Sequence, residues 1–81
     1  YAVSKFANEG MMQVLADELA TDSPIRSNSV NPGAVRSPMR AKAYPGEDAG
    51  KLARPEAVLA PFLYLLGPDS RGVTGCRFDA Q

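Results

Sequence analysis

All seven prolines and six of the seven glycines fall after residue 20. Tyr1 to Ala20 is therefore the one long stretch that nothing breaks, and it predicts a helix. Its Ala, Met, Leu and Glu content favours the same state. At 100° per residue, Ala7, Met11, Met12, Val14, Leu15 and Leu19 share one broad arc, with Glu9, Gln13 and Asp17 opposite. Gly10 sits inside this helix at a cost of about 1 kcal/mol relative to Ala. Either a close approach by another helix offsets that cost, or the position simply tolerates it.

Beyond residue 20 the chain is punctuated. Thr21-Asp22-Ser23-Pro24 ends the helix. Ile25 to Asn31 reads as a strand closed by Pro32-Gly33, although only Ile25 and Val30 are strongly apolar. A buried parallel strand is normally apolar throughout. Residues 34–54 show no steady period and carry a local net charge of +3. They read as a long loop, the kind of segment that is often functional. A helix is expected from Pro55 to Leu66, with Val58, Leu59, Phe62, Leu63 and Leu66 as its apolar stripe and a kink at Pro61. Gly67-Pro68 stops it. Arg71 to Gly75 reads as a turn, and Cys76 to Asp79 as a short final strand. The order helix, strand, loop, helix, strand is α/β.

Composition excludes several classes of function. Nine Lys and Arg balance nine Asp and Glu, which argues against nucleic-acid or anionic-membrane partners. No run approaches the ~18–20 apolar residues of a membrane span. One Cys forms no internal disulfide, and no Cys/His cluster exists to bind zinc. Cys76 is expected to be buried and structural. There is no His, so no mechanism here uses an imidazole.

One pair of residues offers acid–base chemistry without His. Tyr1 and Lys5 are four apart, one turn along a helix. An ammonium held beside a phenol favours the phenolate, which makes the hydroxyl a workable proton donor and acceptor near neutrality. By itself the pair also fits an exposed helix turn.

The surrounding residues add a resemblance. Tyr1-Ala2-Val3-Ser4-Lys5 is similar to the Tyr-x-x-x-Lys active-site helix of short-chain dehydrogenases/reductases. The likeness continues through Phe6-Ala7-Asn8-Glu9-Gly10 and Leu15-Ala16-Asp17-Glu18-Leu19. It resumes at Ile25-Arg26, Asn28-Ser29-Val30-Asn31-Pro32-Gly33, Pro55-Glu56 and Val73-Thr74-Gly75. Residues 41–54 match nothing specific, as expected of the family's variable substrate lid. The Tyr1-to-Ala7 run and the closing Phe78-Asp79-Ala80-Gln81 look most like a group of uncharacterised bacterial oxidoreductases.

The resemblance implies a doubly wound, parallel-sheet Rossmann-type fold, with residues 1–81 as the C-terminal portion of a single NAD(P)-binding domain. Residue 1 is Tyr rather than Met, which fits a piece of a longer chain. The implied activity is interconversion of an alcohol and a carbonyl with NAD or NADP, on a small-molecule substrate. Tyr1 would exchange the proton. Lys5 would bind the nicotinamide ribose hydroxyls and assist Tyr1. Pro32 and Gly33 would shape the backbone beside the nicotinamide, Val35 would offer backbone groups to its carboxamide, and Ser37 would stand in for the usual Thr. No metal is expected. A cytoplasmic homo-oligomer, dimer or tetramer, is the accompanying expectation, and the piece alone should be inactive.

Three departures stand out. Ser27 replaces an apolar residue and should weaken burial, Pro61 interrupts the last helix, and Ala80-Gln81 replaces a Gly-Gly close. None is expected to touch the Tyr/Lys chemistry. Two other readings remain open at this point: an extended-branch epimerase or dehydratase, and a non-catalytic scaffold that retains the fold.

Overall fold

The computed structural model describes all 81 residues. Helix α1 spans Ala2–Leu19, strand β1 Ser29–Asn31, helix α2 Pro38–Ala43, helix α3 Ala60–Leu66 and strand β2 Arg77–Asp79. Short 3-10 turns at Ala49–Lys51, Pro55–Val58 and Pro68–Ser70 complete it. The α/β order expected from the sequence is present, with three local differences.

The strands are shorter than expected, and they pair in parallel: Ser29 with Arg77, Val30 with Phe78, Asn31 with Asp79. Upstream of the ladder one backbone bond persists, from the Gly75 N–H to the Ser27 carbonyl, and side chains supply the other bonds. The Asn28 amide donates to the Val73 carbonyl and accepts from the Cys76 N–H, and the Ser27 N–H donates to Thr74 Oγ1. Polar residues in the sequence of this segment thus replace ladder bonds.

The expected 34–54 loop contains α2. Ser37 caps it by accepting the Arg40 N–H at 3.1 Å, with Pro38 in the first turn. That pairing is a standard helix start. The expected kinked helix is instead two elements. Pro55–Val58 is 3-10, and α3 restarts at Ala60 with Pro61 in its first turn. A proline has no N–H to continue an existing helix, and none is needed in the first turn of a new one.

Parity along the strands separates the helices. Ser27 Oγ donates to the Met12 carbonyl, Ser29 Oγ donates to Glu9 Oε2 at 2.7 Å, and a Cβ built on Gly75 would sit 3.5 Å from Ala16. These odd-numbered positions face α1. Phe78 has the opposite parity and meets Tyr64 of α3 edge-on, with ring centroids 6.4 Å apart. One helix therefore lies on each face of the strand pair.

The buried face of α1 differs from the expected arc. Met12 and Ala16 are buried and Glu9 and Leu19 half-buried, whereas Met11, Val14 and Leu15 are exposed. Glu9, expected on the outer face, turns inward because Ser29 offers it a hydroxyl. Ser27 keeps its half-buried place through its bond to Met12. No side chain or backbone of another element comes within 4 Å of a Cβ built on Gly10. Cys76, expected to be buried, is exposed. It has the parity of Phe78, but α3 has seven residues and covers only about 10 Å of that face.

Only Met12, Ala16, Val58 and Ser70 are buried. The radius of gyration is 15.2 Å, against about 12 Å for a compact domain of this length. The chain is thus an open layer with an uncovered apolar arc. No helix is long and apolar enough to cross a membrane.

Ser70 is completely inaccessible. It accepts from Arg26 Nη1 and lies 3.1 Å from the Leu65 and Gly67 carbonyls, which share its proton. Ser70→Ala leaves these groups short of a partner and is expected to cost about 1–3 kcal/mol, read by chemical denaturation. An unchanged midpoint would show that this node carries no stability.

Candidate active site

The direction of α1 follows from its contacts. Ala16 lies by Gly75, whose N–H donates to the Ser27 carbonyl; Met12 bonds Ser27, and Glu9 bonds Ser29. Moving toward the start of α1 means moving toward the end of β1, so the two run antiparallel. One helical turn advances about 6 Å, and two strand residues about 6.6 Å. Lys5 thus comes level with about Asn31 and Tyr1 with about Gly33. The carboxyl ends of parallel strands are where α/β sheets bind ligands.

Tyr1 is the N-cap of α1; its carbonyl accepts from the Ser4 hydroxyl at 2.7 Å and the Lys5 N–H at 3.0 Å. Tyr1 is 87% exposed, and Lys5 Nζ lies 5.3 Å from its ring centroid. That is within the range of a cation–π contact. The two functional groups named from spacing are therefore neighbours, and both are open to a ligand.

Residues 32–37 leave the end of β1 as a turn. Gly33 has φ +76°, the left-handed region that favours glycine. Asn31 Oδ1 accepts the Gly33 N–H at 3.1 Å, and the Asn31 carbonyl accepts the Ala80 N–H at 2.9 Å. Gln81 Nε2 donates to the Pro32 carbonyl at 2.6 Å and the Ala34 carbonyl at 3.0 Å. The sequence assigns no role to Asn31, and it marks Gln81 only as part of a departure from a Gly-Gly close. The Asn-Pro-Gly order does signal an Asn side-chain turn, but nothing local marks Gln81, which is 48 residues from Gly33. The departure from Gly-Gly at Ala80-Gln81 thus reaches the turn, although Gln81 bonds neither Tyr1 nor Lys5.

Val35 forms an isolated parallel bridge with Ala53, in which the Arg36 N–H donates to the Ala53 carbonyl. No hydrogen bond within the chain engages the Val35 N–H or carbonyl. Ser37 uses its oxygen as the α2 cap and keeps its hydroxyl proton free to donate. Arg36 Nη2 makes long contacts to the Gly50 and Leu52 carbonyls, while Arg36 Nε is buried without a partner.

The lid expected over residues 41–54 carries its own clip. Arg40 bonds Glu47 through two parallel 2.9 Å hydrogen bonds and stacks 3.8 Å from the Tyr44 ring. Those bonds, aided by the guanidinium charge and opposed by partial desolvation, hold the Glu47 carboxyl below the usual carboxylate range. No group of three or more His, Cys, Asp or Glu is placed to hold a metal.

Comparison with known proteins places the chain. Residues 1–80 match the family model described as enoyl-(acyl carrier protein) reductase. The uncharacterized oxidoreductase YciK of Escherichia coli K12 is 54% identical over 81 residues, covering all of this chain and 31% of that protein. A short-chain dehydrogenase from Salmonella enterica serovar Typhi CT18 is 56% identical, with a TM-score of 0.94, covering all of this chain and 33% of that one. A short-chain dehydrogenase structure from Escherichia coli CFT073, complexed with NADPH, is 54% identical, with a TM-score of 0.92 and the same coverage. The chain belongs to the short-chain dehydrogenase/reductase family, and its α/β arrangement is part of the Rossmann-type fold of those structures. It spans about a third of the length of the relatives it matches.

Two outcomes test this geometry. Gly33→Ala forces a side chain into the left-handed region and to within 2.8 Å of Gln81 Nε2. It is expected to destabilise the turn by about 1–3 kcal/mol, seen as faster amide exchange at residues 33–36. For the lid, the Glu47 carboxyl is depressed in the folded state. The clip is therefore intact above the unfolded value of about 4.3 and lost as pH falls through the folded value. Proteolysis between residues 40 and 47 by an acid-active protease is expected to rise over that window, and Glu47→Gln removes the pH dependence.

Proposed function

We propose that the protein containing this chain is an NADP-dependent oxidoreductase interconverting an alcohol and a carbonyl, with residues 1–81 as the C-terminal portion of its Rossmann-type domain. The observation that carries this reading is Lys5 Nζ placed 5.3 Å from the Tyr1 ring, at the end of α1 that lies beside the carboxyl end of β1. The NADPH in a relative 54% identical to this chain favours NADP over NAD.

The residues fit such a cofactor chemically. The Lys5 ammonium suits a ribose diol. The unengaged Val35 N–H and carbonyl match the one acceptor and paired donors of a carboxamide. Ser37 has a proton left to donate, and the Pro32-Gly33 turn brings backbone close to a flat ring. When bound, the nicotinamide supplies the hydride.

The remaining work belongs to the chain. In reduction, the Tyr1 hydroxyl gives its proton to the carbonyl oxygen as that oxygen gains negative charge; in oxidation it takes the proton back. Lys5 stabilises the tyrosinate left behind, the role an imidazole would otherwise fill. The exposed apolar arc of α1 and the exposed Leu63 and Leu66 of α3 support burial against the remainder of the domain and a second copy, so a homo-oligomer is part of the reading.

Tyr1→Phe in the full-length protein is expected to lower kcat by about 10²–10⁴-fold while NADPH binding survives. Retained turnover would remove Tyr1 from the mechanism. The isolated 81-residue chain is expected to show no micromolar affinity for NADPH in a fluorescence titration.

A further inference from the structure

We infer that Gln81 is a positioning residue, holding the Val35 amide in the orientation that receives the nicotinamide end of the dinucleotide. The inference rests on the function proposed above and adds to it a residue from the far end of the chain.

In a trans peptide unit the carbonyl and the following N–H point in opposite directions. Gln81 Nε2 holds the Ala34 carbonyl at 3.0 Å, so the N–H of the same unit, that of Val35, is turned away from Gln81. That N–H has no partner in the chain. The Pro32–Gly33 unit is fixed in the same way. Gln81 holds the Pro32 carbonyl at 2.6 Å, and Asn31 Oδ1 takes the opposing Gly33 N–H at 3.1 Å. Between the two units lies Gly33 at φ +76°. A non-glycine residue there would add strain, and its Cβ would meet Gln81.

One primary amide therefore holds two alternate peptide planes, Pro32–Gly33 and Ala34–Val35. It is itself anchored, because the preceding Ala80 N–H continues the strand pairing onto the Asn31 carbonyl. β2 thus controls the turn that follows β1. A side chain without an amide donor at position 81 removes the in-chain side-chain donor from both carbonyls and leaves the Ala34–Val35 plane held only through the Val35–Ala53 bridge.

The test uses the full-length enzyme with Gln81→Met, which keeps length and removes the donor. Three readouts are taken: amide exchange at residues 33–36, NADPH affinity, and affinity for adenosine 2′,5′-bisphosphate, which lacks the nicotinamide. Faster exchange, NADPH binding weakened about tenfold and unchanged bisphosphate binding are expected together. Unchanged exchange would overturn the clamp. Faster exchange with unaltered NADPH affinity would overturn its link to the nicotinamide, as would equal weakening of both ligands. If the unaltered enzyme binds the bisphosphate and NADPH equally well, no nicotinamide contact exists and the proposal fails. If it binds neither, the functional reading fails with it.

Discussion

The parallel pairing of β1 with β2 fixes where every other part of the chain lies. It brings residues 29–31 against residues 77–79, a separation that only a long crossover can span. It gives the strand pair two faces, with α1 on one and α3 on the other. It also decides that both strands end on the same side, which is where α1 begins. The turn after β1 and residues 80–81 after β2 therefore meet on that side, and the Tyr1–Lys5 pair lies toward it.

Beside the buried Met12 and Ala16, what joins α1 to the strands is largely polar. Ser27 and Ser29 bond the Met12 carbonyl and Glu9, where a fully buried helix–sheet contact would be mostly apolar. These bonds are directional, so they define how far α1 slides along β1. Apolar packing alone would tolerate small shifts more readily. The register of the helix against the strand sets Lys5 level with the turn. A serine that looks like a defect in strand burial is in this light a positional constraint.

The parts of the fold legible in the sequence were those with local causes. α1 was visible because twenty residues lack proline, and the Tyr1–Lys5 contact because four residues make about one helical turn. α2 was equally visible in Ser37-Pro38, a cap followed by a residue suited to the first turn, but the absence of a steady period across 34–54 obscured it. Pro61 was visible as a break, though its effect was to start α3 rather than bend a longer helix. The α1 face was misjudged because amphipathicity records where apolar residues lie, not which neighbour is present. Met11, Val14 and Leu15 stay open here, while Ser29 draws Glu9 inward. Gln81 was not legible at all, since its role depends on the parallel pairing of distant strands.

The proposed reading implies a division of labour within the site. A dinucleotide's phosphates are bound by free backbone N–H groups at a helix start. Here α2, α3 and the 3-10 turns at Pro55 and Pro68 all carry proline in their first turn, and each proline removes one such donor. α2 uses its cap on the Arg40 N–H. α1 starts without proline or a side-chain cap and keeps free N–H groups in its first turn; the other unengaged groups of the candidate site are one backbone N–H and carbonyl at Val35, one hydroxyl proton at Ser37, one phenol and one ammonium. They recognise a carboxamide, a diol and a carbonyl, which are weakly bound groups compared with a diphosphate. On this reading the chain holds the selective, proton-transferring end of the site, while most of the affinity for the cofactor comes from residues outside positions 1–81. That separation lets the reacting end be tuned through Gln81 and the lid without loss of the anchoring phosphate contacts.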